Sequence, residues 1–179
     1  MQSRAARFNI YLVTLAACWL AGCETTGSTN AGQTAAARRK EEGTLFRVHL
    51  ETTVNHPERT LLAPVYRDHA LLVKVDKTPF LHEGLIAQAA LVELPQGLAI
   101  RIQYDRQGTA LLENMSTSYR GRRIAIVSEF GDKRWLAAPV LSHRITDGVL
   151  LFQPDASREE ADRIVRGLNN LVRELRKMK

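Results

Sequence analysis

The sequence predicts an α+β fold, a sandwich in which helices pack on one face of a mixed or antiparallel sheet. Gly97–Tyr104 alternates apolar and polar side chains, with the period of two that is typical of a half-buried strand. Residues 123–130 are apolar on both faces, which indicates a strand in the middle of a sheet. From Ser157 to Leu175, apolar residues recur at helical spacing.

The first 22 residues have the pattern of an export signal. Residues 1–7 include Arg4 and Arg7 but no acid, and residues 8–21 are almost wholly apolar, yet shorter than the ~20 residues that a membrane span needs. Leu20-Ala21-Gly22-Cys23 is similar to the lipobox of bacterial lipoproteins. This resemblance implies signal cleavage between Gly22 and Cys23, and lipid on Cys23. The alternative is an ordinary secretory signal that ends near a cysteine.

Residues 23–43 are predicted to be a lipid-anchored flexible tether, and residues 44–179 a folded domain. The tether has no large apolar side chain between Glu24 and Glu42, so it cannot contribute to a core. Two or three lipid chains on Cys23 anchor a protein stably. Many Gram-negative bacteria use aspartate after the cysteine to retain lipoproteins at the inner membrane. Glu24 therefore favours an outer-membrane location, with the domain facing the periplasm.

Charge and cysteine content exclude several classes of function. Removal of Arg4 and Arg7 from the 25 basic side chains leaves 23 against 19 acidic ones, a net charge of +4. That modest charge does not predict a nucleic-acid binder. Cys18 lies in the removed segment, so the mature chain has neither a free thiol nor a disulfide.

The first half of the domain is predicted to contain two strands and a helix. Residues 46–54 alternate as a strand does, and residues 55–58 read as a turn. Residues 70–75 form a short apolar run that predicts a second strand. Residues 80–90 are compatible with a short helix whose inner face consists of Leu81, Leu85, Ile86 and Ala89.

The second half continues the alternation of strands and helices. Asp105 is predicted to cap a helix that runs to about Tyr119, with an inner face of Ala110, Leu111 and Met115. A turn at residues 131–133 leads into a hairpin strand at 135–141, and residues 149–152 form a last strand. Ser157 and Glu160 form a capping box that starts the final helix. This helix is predicted to pack on its own sheet; the alternative is a basic amphipathic helix that lies on a membrane.

Four short segments in the second half resemble the periplasmic head region of SecD, a membrane subunit that assists the Sec protein-export channel. In chain order they are Arg123-Ile-Ala-Ile-Val127, Ala138-Pro139-Val140, Ile145-Thr-Asp-Gly148 and Ser157-Arg-Glu-Glu-Ala161. The resemblance implies a ferredoxin-like α+β fold and a role in binding exported polypeptide. The sequence departs from the pattern where Asp147 replaces a glycine. It also shows nothing that matches the membrane spans of SecD.

No pattern of catalytic or metal-binding residues is visible. The histidines are scattered, with His49 on the polar face of the first strand and no pair at metal-ligand spacing on a helix; the others are His56, His69, His82 and His143. The serines lack a nucleophile elbow, and single glycines do not form a phosphate-binding loop. We therefore expect no enzyme activity, no metal, no cofactor and no small-molecule substrate.

The sequence favours an envelope lipoprotein whose head domain binds polypeptide and assists export or assembly of envelope proteins. Its expected partners are the membrane, through lipid on Cys23, and exported or envelope polypeptides that add to exposed sheet edges. A structural subunit or spacer of a cell-envelope complex is the alternative. An enzyme with a hidden site is the third class.

Overall fold

The computed structural model describes residues 43–178 of the chain. These residues contain nine strands and two α-helices. The predicted cleavage and lipidation site at Gly22 and Cys23, and most of the predicted tether, lie outside these residues. The elements are β1 Leu45–Leu50, β2 Thr60–Val65, β3 Leu71–Asp76, β4 Leu81–His82, β5 Ile86–Leu94, β6 Gly97–Tyr104, α1 Arg106–Ser118, β7 Ile124–Phe130, β8 Asp132–Ala137, β9 Val149–Phe152 and α2 Arg158–Lys177. The predicted α+β class is confirmed.

The strands form three antiparallel sheets. A four-stranded sheet has the order β4-β1-β7-β8, a three-stranded sheet has the order β5-β6-β9, and β2 pairs with β3 as a separate hairpin. All pairs are antiparallel. The division into three sheets is a feature that the alternation of side chains does not predict.

Strand β7 has apolar neighbours on both of its faces, as its sequence predicts. Ile124 and Ile126 belong to the main core, which also contains Leu112 of α1 and Leu168 of α2. Ala125, on the opposite face, belongs to a smaller core with the inward side chains of the β2–β3 hairpin. The hairpin therefore covers one face of the four-stranded sheet, while the helices and the three-stranded sheet enclose the main core on the other.

The predicted helix at residues 80–90 is wrong. These residues form β4, a 3-10 turn at Glu83–Leu85 and the start of β5, which pairs with β6 along Ile86–Leu94. A bulge between Ile86 and Gln88 shifts the register of β5, so that Ile86 and Ala89 are both buried. Such a bulge gives a strand the three-residue spacing of buried positions that otherwise indicates a helix.

Strand β2 is also absent from the sequence prediction, because Pro64 interrupts its pattern. Proline cannot donate a ladder hydrogen bond, and it is tolerated in strands mainly at edges. Pro64 lies opposite Leu72 and is exposed, as is Leu62 on the same outer face of the hairpin. The hairpin therefore presents an apolar outer face to solvent.

The two helices begin where their caps predict. The Asp105 carboxylate accepts a 2.7 Å hydrogen bond from Gly108 N, and the Ser157 hydroxyl accepts one of 3.2 Å from Glu160 N. The other half of the predicted capping box is different, since the Glu160 carboxylate pairs with Arg67 and Arg134. Helix α1 buries Met115, as predicted, together with Leu112 and Ser116. Ala110, which is predicted to face inward, is exposed. Helix α2 packs in the main core of its own domain, as predicted.

The side chain of His49, in β1, faces the hairpin, and only 4% of the residue is exposed, because the hairpin covers the face that the sequence indicates as polar. Its Nδ1 lies 2.8 Å from the carbonyl oxygen of Asp76, and its ring meets Trp135 edge-on at 5.4 Å. Burial lowers the pKa of His49 below its ordinary value of 6.5, and nearby Lys133 and Arg47 lower it further, against the opposing effect of the Asp76 carbonyl.

We expect acid to weaken the domain through His49. Because the folded state lowers the pKa of His49, its contribution is fully present above pH 6.5 and is lost as the pH falls from there towards the folded-state pKa. Urea unfolding of the full chain between pH 7.5 and 5 measures this loss. His49→Gln is expected to flatten the pH dependence, whereas His69→Gln, at an exposed position, leaves it unchanged. Equal slopes for His49→Gln and the unaltered chain would contradict the prediction.

Candidate functional site

A groove of about 550 Å³ runs beside β9. The segment between β8 and β9 forms one of its walls, and β9 forms the other. The buried side chains of Ile124, Leu141 and Leu150 lie at its bottom, and Val140 and Leu151 are 45% and 44% exposed at its sides. The groove therefore combines an apolar surface with the edge of a sheet.

The wall opposite β9 lacks regular strand structure, but backbone hydrogen bonds hold it in place. Leu141 N donates to Arg122 O at 2.9 Å, and Ile124 N donates to Pro139 O at 3.0 Å. These bonds attach the start of the wall to the segment that leads into β7. Their residues lie in or next to the stretches 123–127 and 138–140, on which the resemblance to the SecD head rests.

Helix α1 and Arg120, two residues beyond its end, hold the rest of the wall. The Ser116 hydroxyl accepts a 2.9 Å hydrogen bond from Ile145 N, and the Glu113 carboxylate pairs with Arg144. The Arg120 side chain donates from Nε to Ser142 O at 3.0 Å. The end of the wall is Gly148, whose φ of +68° is in the left-handed region that favours glycine. The wall is thus attached to the helix that follows β6.

The outer edge of β9 carries unpaired backbone groups. Tyr104 N donates to Gly148 O at 2.9 Å, and the register continues with Leu150 opposite Ile102. Hydrogen-bonded pairs alternate along an antiparallel ladder, so the N–H and C=O of Val149 and Leu151 point away from β6. Asp147 accepts from Val149 N at 3.0 Å. Among the described residues, the C=O of Val149 and both groups of Leu151 remain open towards the groove.

Several other sheet edges in the described domain are covered. The Asn169 side-chain amide exchanges two 2.9 Å hydrogen bonds with Ala89 N and O, and Arg176 donates to Ala87 O, which closes the edge of β5. Asp155 N donates to Leu136 O of β8 at 2.7 Å. Covered edges prevent unwanted strand pairing. The open stretch of β9 therefore stands out as a place for an added strand.

The described residues do not assemble a recognisable catalytic centre. No group of three or more His, Cys, Asp or Glu among them could hold a metal ion. Ser142 lies 3.0 Å from His143 Nδ1, but both are exposed and the structure gives His143 no acidic partner within the described domain. Burial raises the pKa of Tyr104, whose hydroxyl has no partner in the described core. Neither helix of residues 43–178 is long and apolar enough to cross a membrane.

Comparison with solved structures identifies the fold. A structure described as "a membrane component SecDF that enhances protein export" superposes with a TM-score of 0.56 at 19% identity, over 82% of this chain and 71% of that one. SecDF in its super-membrane-facing form gives a TM-score of 0.54 at 19% identity, over 79% of this chain and 21% of that one. The described domain shares the fold of the matched part of these SecDF structures. The SecD resemblance of the sequence is thereby confirmed at the level of structure.

No protein-family model matches the chain, and no curated protein matches it significantly. Two of the four segments that carry the resemblance line the wall of the groove through residues 139–140 and 145–147, and Ile124 of a third lines it as well, whereas the segment at 157–161 does not. The sequence does not predict that the edge of β9 is open. Its four residues alternate in the same way whether a strand lies at an edge or in the middle of a sheet.

Proposed function

We propose that this chain is a lipid-anchored envelope protein whose domain binds extended polypeptide at the groove beside β9, without catalysis. The observation that carries this proposal is the pair of open backbone groups on Leu151 beside an apolar groove. An extended peptide that adds to a sheet edge gains main-chain hydrogen bonds, while pockets for alternate side chains supply specificity. The SecDF fold supports a role in protein export or in the assembly of envelope proteins, in the periplasm.

Replacement of Leu151 by proline tests the binding mode. Proline removes the outward N–H but leaves the ladder between β6 and β9 intact, because that N–H does not take part in it. Leu151→Ala is the matched control, since it removes the side chain and keeps the N–H. Fluorescence anisotropy of a labelled peptide of alternating valine and threonine measures binding to the full chain in detergent.

We expect Leu151→Pro to weaken peptide binding about tenfold, in line with the loss of one hydrogen bond and the addition of a steric block. Leu151→Ala is expected to weaken it less. If both variants bind the peptide as well as the unaltered chain, strand addition at β9 is wrong. If the unaltered chain itself does not bind, the proposed function fails.

Anchoring is tested separately at Cys23. Cys23→Ser is expected to block lipidation and signal cleavage, because the lipid is attached to the cysteine thiol. Membrane fractionation with mass spectrometry of the N-terminus measures both effects and also separates the inner from the outer membrane; we propose the outer. Normal maturation of Cys23→Ser would refute the anchor.

A structural subunit of an envelope complex is a second candidate function. It is favoured by the outer face of the β2–β3 hairpin, where Leu62 and Leu72 are 59% and 63% exposed beside Pro64. Exposed apolar patches are typical of protein interfaces. A stoichiometric complex that survives detergent and is lost in Leu62→Ser with Leu72→Ser supports this role over transient peptide binding.

A further inference from the structure

Basic residues lie in the wall of the groove around Ser142 and immediately beside it. Arg120 reaches the Ser142 end of the groove through its hydrogen bond to Ser142 O, and Arg144 and His143 line the groove directly. Arg122 belongs to the segment that holds the wall, and its guanidinium lies 5.5 Å from the centre of the Tyr119 ring. All four side chains are exposed.

The acids near this end of the groove are already engaged. The Glu113 carboxylate pairs with Arg144, and the Asp147 carboxylate accepts from Val149 N. Within the described domain, Arg120 and Arg122 have no acidic partner. Their positive charge therefore remains available to a ligand that extends past the Ser142 end of the groove, and opposite charges across an interface set its specificity more than its affinity.

The shape of the groove restricts what can use this charge. The wall formed by the segment between β8 and β9 faces the edge of β9 across the groove. The groove has room for a short segment of polypeptide. A second copy of the domain carries its own wall beside its β9. Pairing between two β9 edges would bring the two walls together, whereas a single extended chain has no such wall. The predicted tether, residues 23–43, has no large apolar side chain between Glu24 and Glu42 to place in the groove.

We infer that the groove selects extended polypeptide segments in which acidic residues flank an apolar stretch, with the acidic flank at Arg120 and Arg122. This inference rests on the proposed function and adds a charge preference to it. The apolar residues contact Val140, which is 45% exposed, and the backbone pairs with Leu151. The carboxylates lie at the basic end.

Three labelled peptides with the same alternating valine and threonine core, flanked by glutamate, glutamine or lysine, test the charge preference. At low salt, we expect the glutamate-flanked peptide to bind the full chain about fivefold more tightly than the glutamine-flanked one, and the lysine-flanked peptide to bind most weakly. The difference is expected to shrink at ~0.5 M salt, because the charges are exposed and screened.

The double variant Arg120→Glu with Arg122→Glu is expected to reverse the ranking of the peptides. Arg59→Glu with Lys77→Glu makes the same change of charge at the open end of the β2–β3 hairpin, just before β2 and just after β3, and is expected to preserve the ranking. Thermal unfolding by circular dichroism establishes that both variants are folded.

Failure of the charge preference can be told apart from failure of the proposed function. Equal binding of the three peptides, or the same ranking in the Arg120 and Arg122 variant, overturns the charge preference and leaves peptide binding in place. Failure of all three peptides overturns both. A dimer that sedimentation detects and Leu151→Pro abolishes identifies a second copy as the occupant, which also overturns the inference.

Discussion

Replacement of Gly148 by alanine is expected to lower the free energy of unfolding by about 2–4 kcal/mol. Two physical effects add at this position. The φ of +68° is unfavourable for a residue with a Cβ, and a Cβ on Gly148 would overlap Thr109 Oγ1 and lie 3.0 Å from Thr109 Cβ. In the Gly148→Ala variant, this overlap forces the backbone at position 148 away from α1. Urea unfolding of the full chain measures the loss.

Gly121→Ala is the matched control for Gly148→Ala. Gly121 has a φ of +85°, yet nothing lies within 4 Å of the position that a Cβ would take there, so alanine suffers only the backbone strain of about 1–2 kcal/mol. The difference between the two variants measures the contact with Thr109. Thr109→Ala in the Gly148→Ala background is expected to recover part of it. Equal losses for the two glycine variants would contradict this explanation.

Gly148 also links stability to the proposed site. It ends the wall of the groove, and its carbonyl accepts the hydrogen bond from Tyr104 N that sets the register of β9. Displacement of Gly148 from α1 therefore moves the open edge relative to the wall. We expect Gly148→Ala to weaken peptide binding even under conditions in which the variant remains folded.

Replacement of Leu168 by alanine is expected to lower the free energy of unfolding by about 2–5 kcal/mol. Leu168 lies on the inner face of α2, is fully buried, and shares the main core with β1, β6 and β7. Its truncation leaves a cavity that the surrounding strands cannot fill. Urea unfolding of the full chain, followed by far-ultraviolet circular dichroism, measures the change.

Leu62→Ala makes the same chemical change at a side chain that is 59% exposed on the hairpin. Its expected loss is within about 0.5 kcal/mol, because little apolar surface leaves water there on folding. A small loss for Leu168→Ala would indicate that α2 is only loosely attached to the sheets, which is the packing expected of a helix that lies on a membrane instead.

Local patterns in the sequence predict much of the fold. The caps at Asp105 and Ser157 depend on residues within one turn of a helix, and the two apolar faces of β7 are visible in consecutive residues. Such signals do not require knowledge of distant partners. The predicted lipidation of Cys23 depends on an equally local motif, and it remains a prediction.

The main failures of the sequence prediction concern distant partners. Residues 86–90 have the spacing of a helix, but pairing with β6 across a bulge makes them a strand. His49 has the position of a solvated residue until the hairpin from β2 and β3 covers it. In each case, a segment elsewhere in the chain changes the surroundings that the local pattern implies.

The sequence by itself determined the α+β class, the starts of the two helices and the central place of β7, because side-chain periodicity and capping are local properties. Only the tertiary structure decided which strand edge stays open. Asn169 closes the edge of β5 from 80 residues away, whereas the wall beside β9 stands apart and leaves Leu151 unpaired within the described domain. Whether a strand is covered depends on the packing of distant segments, which its own residues do not encode.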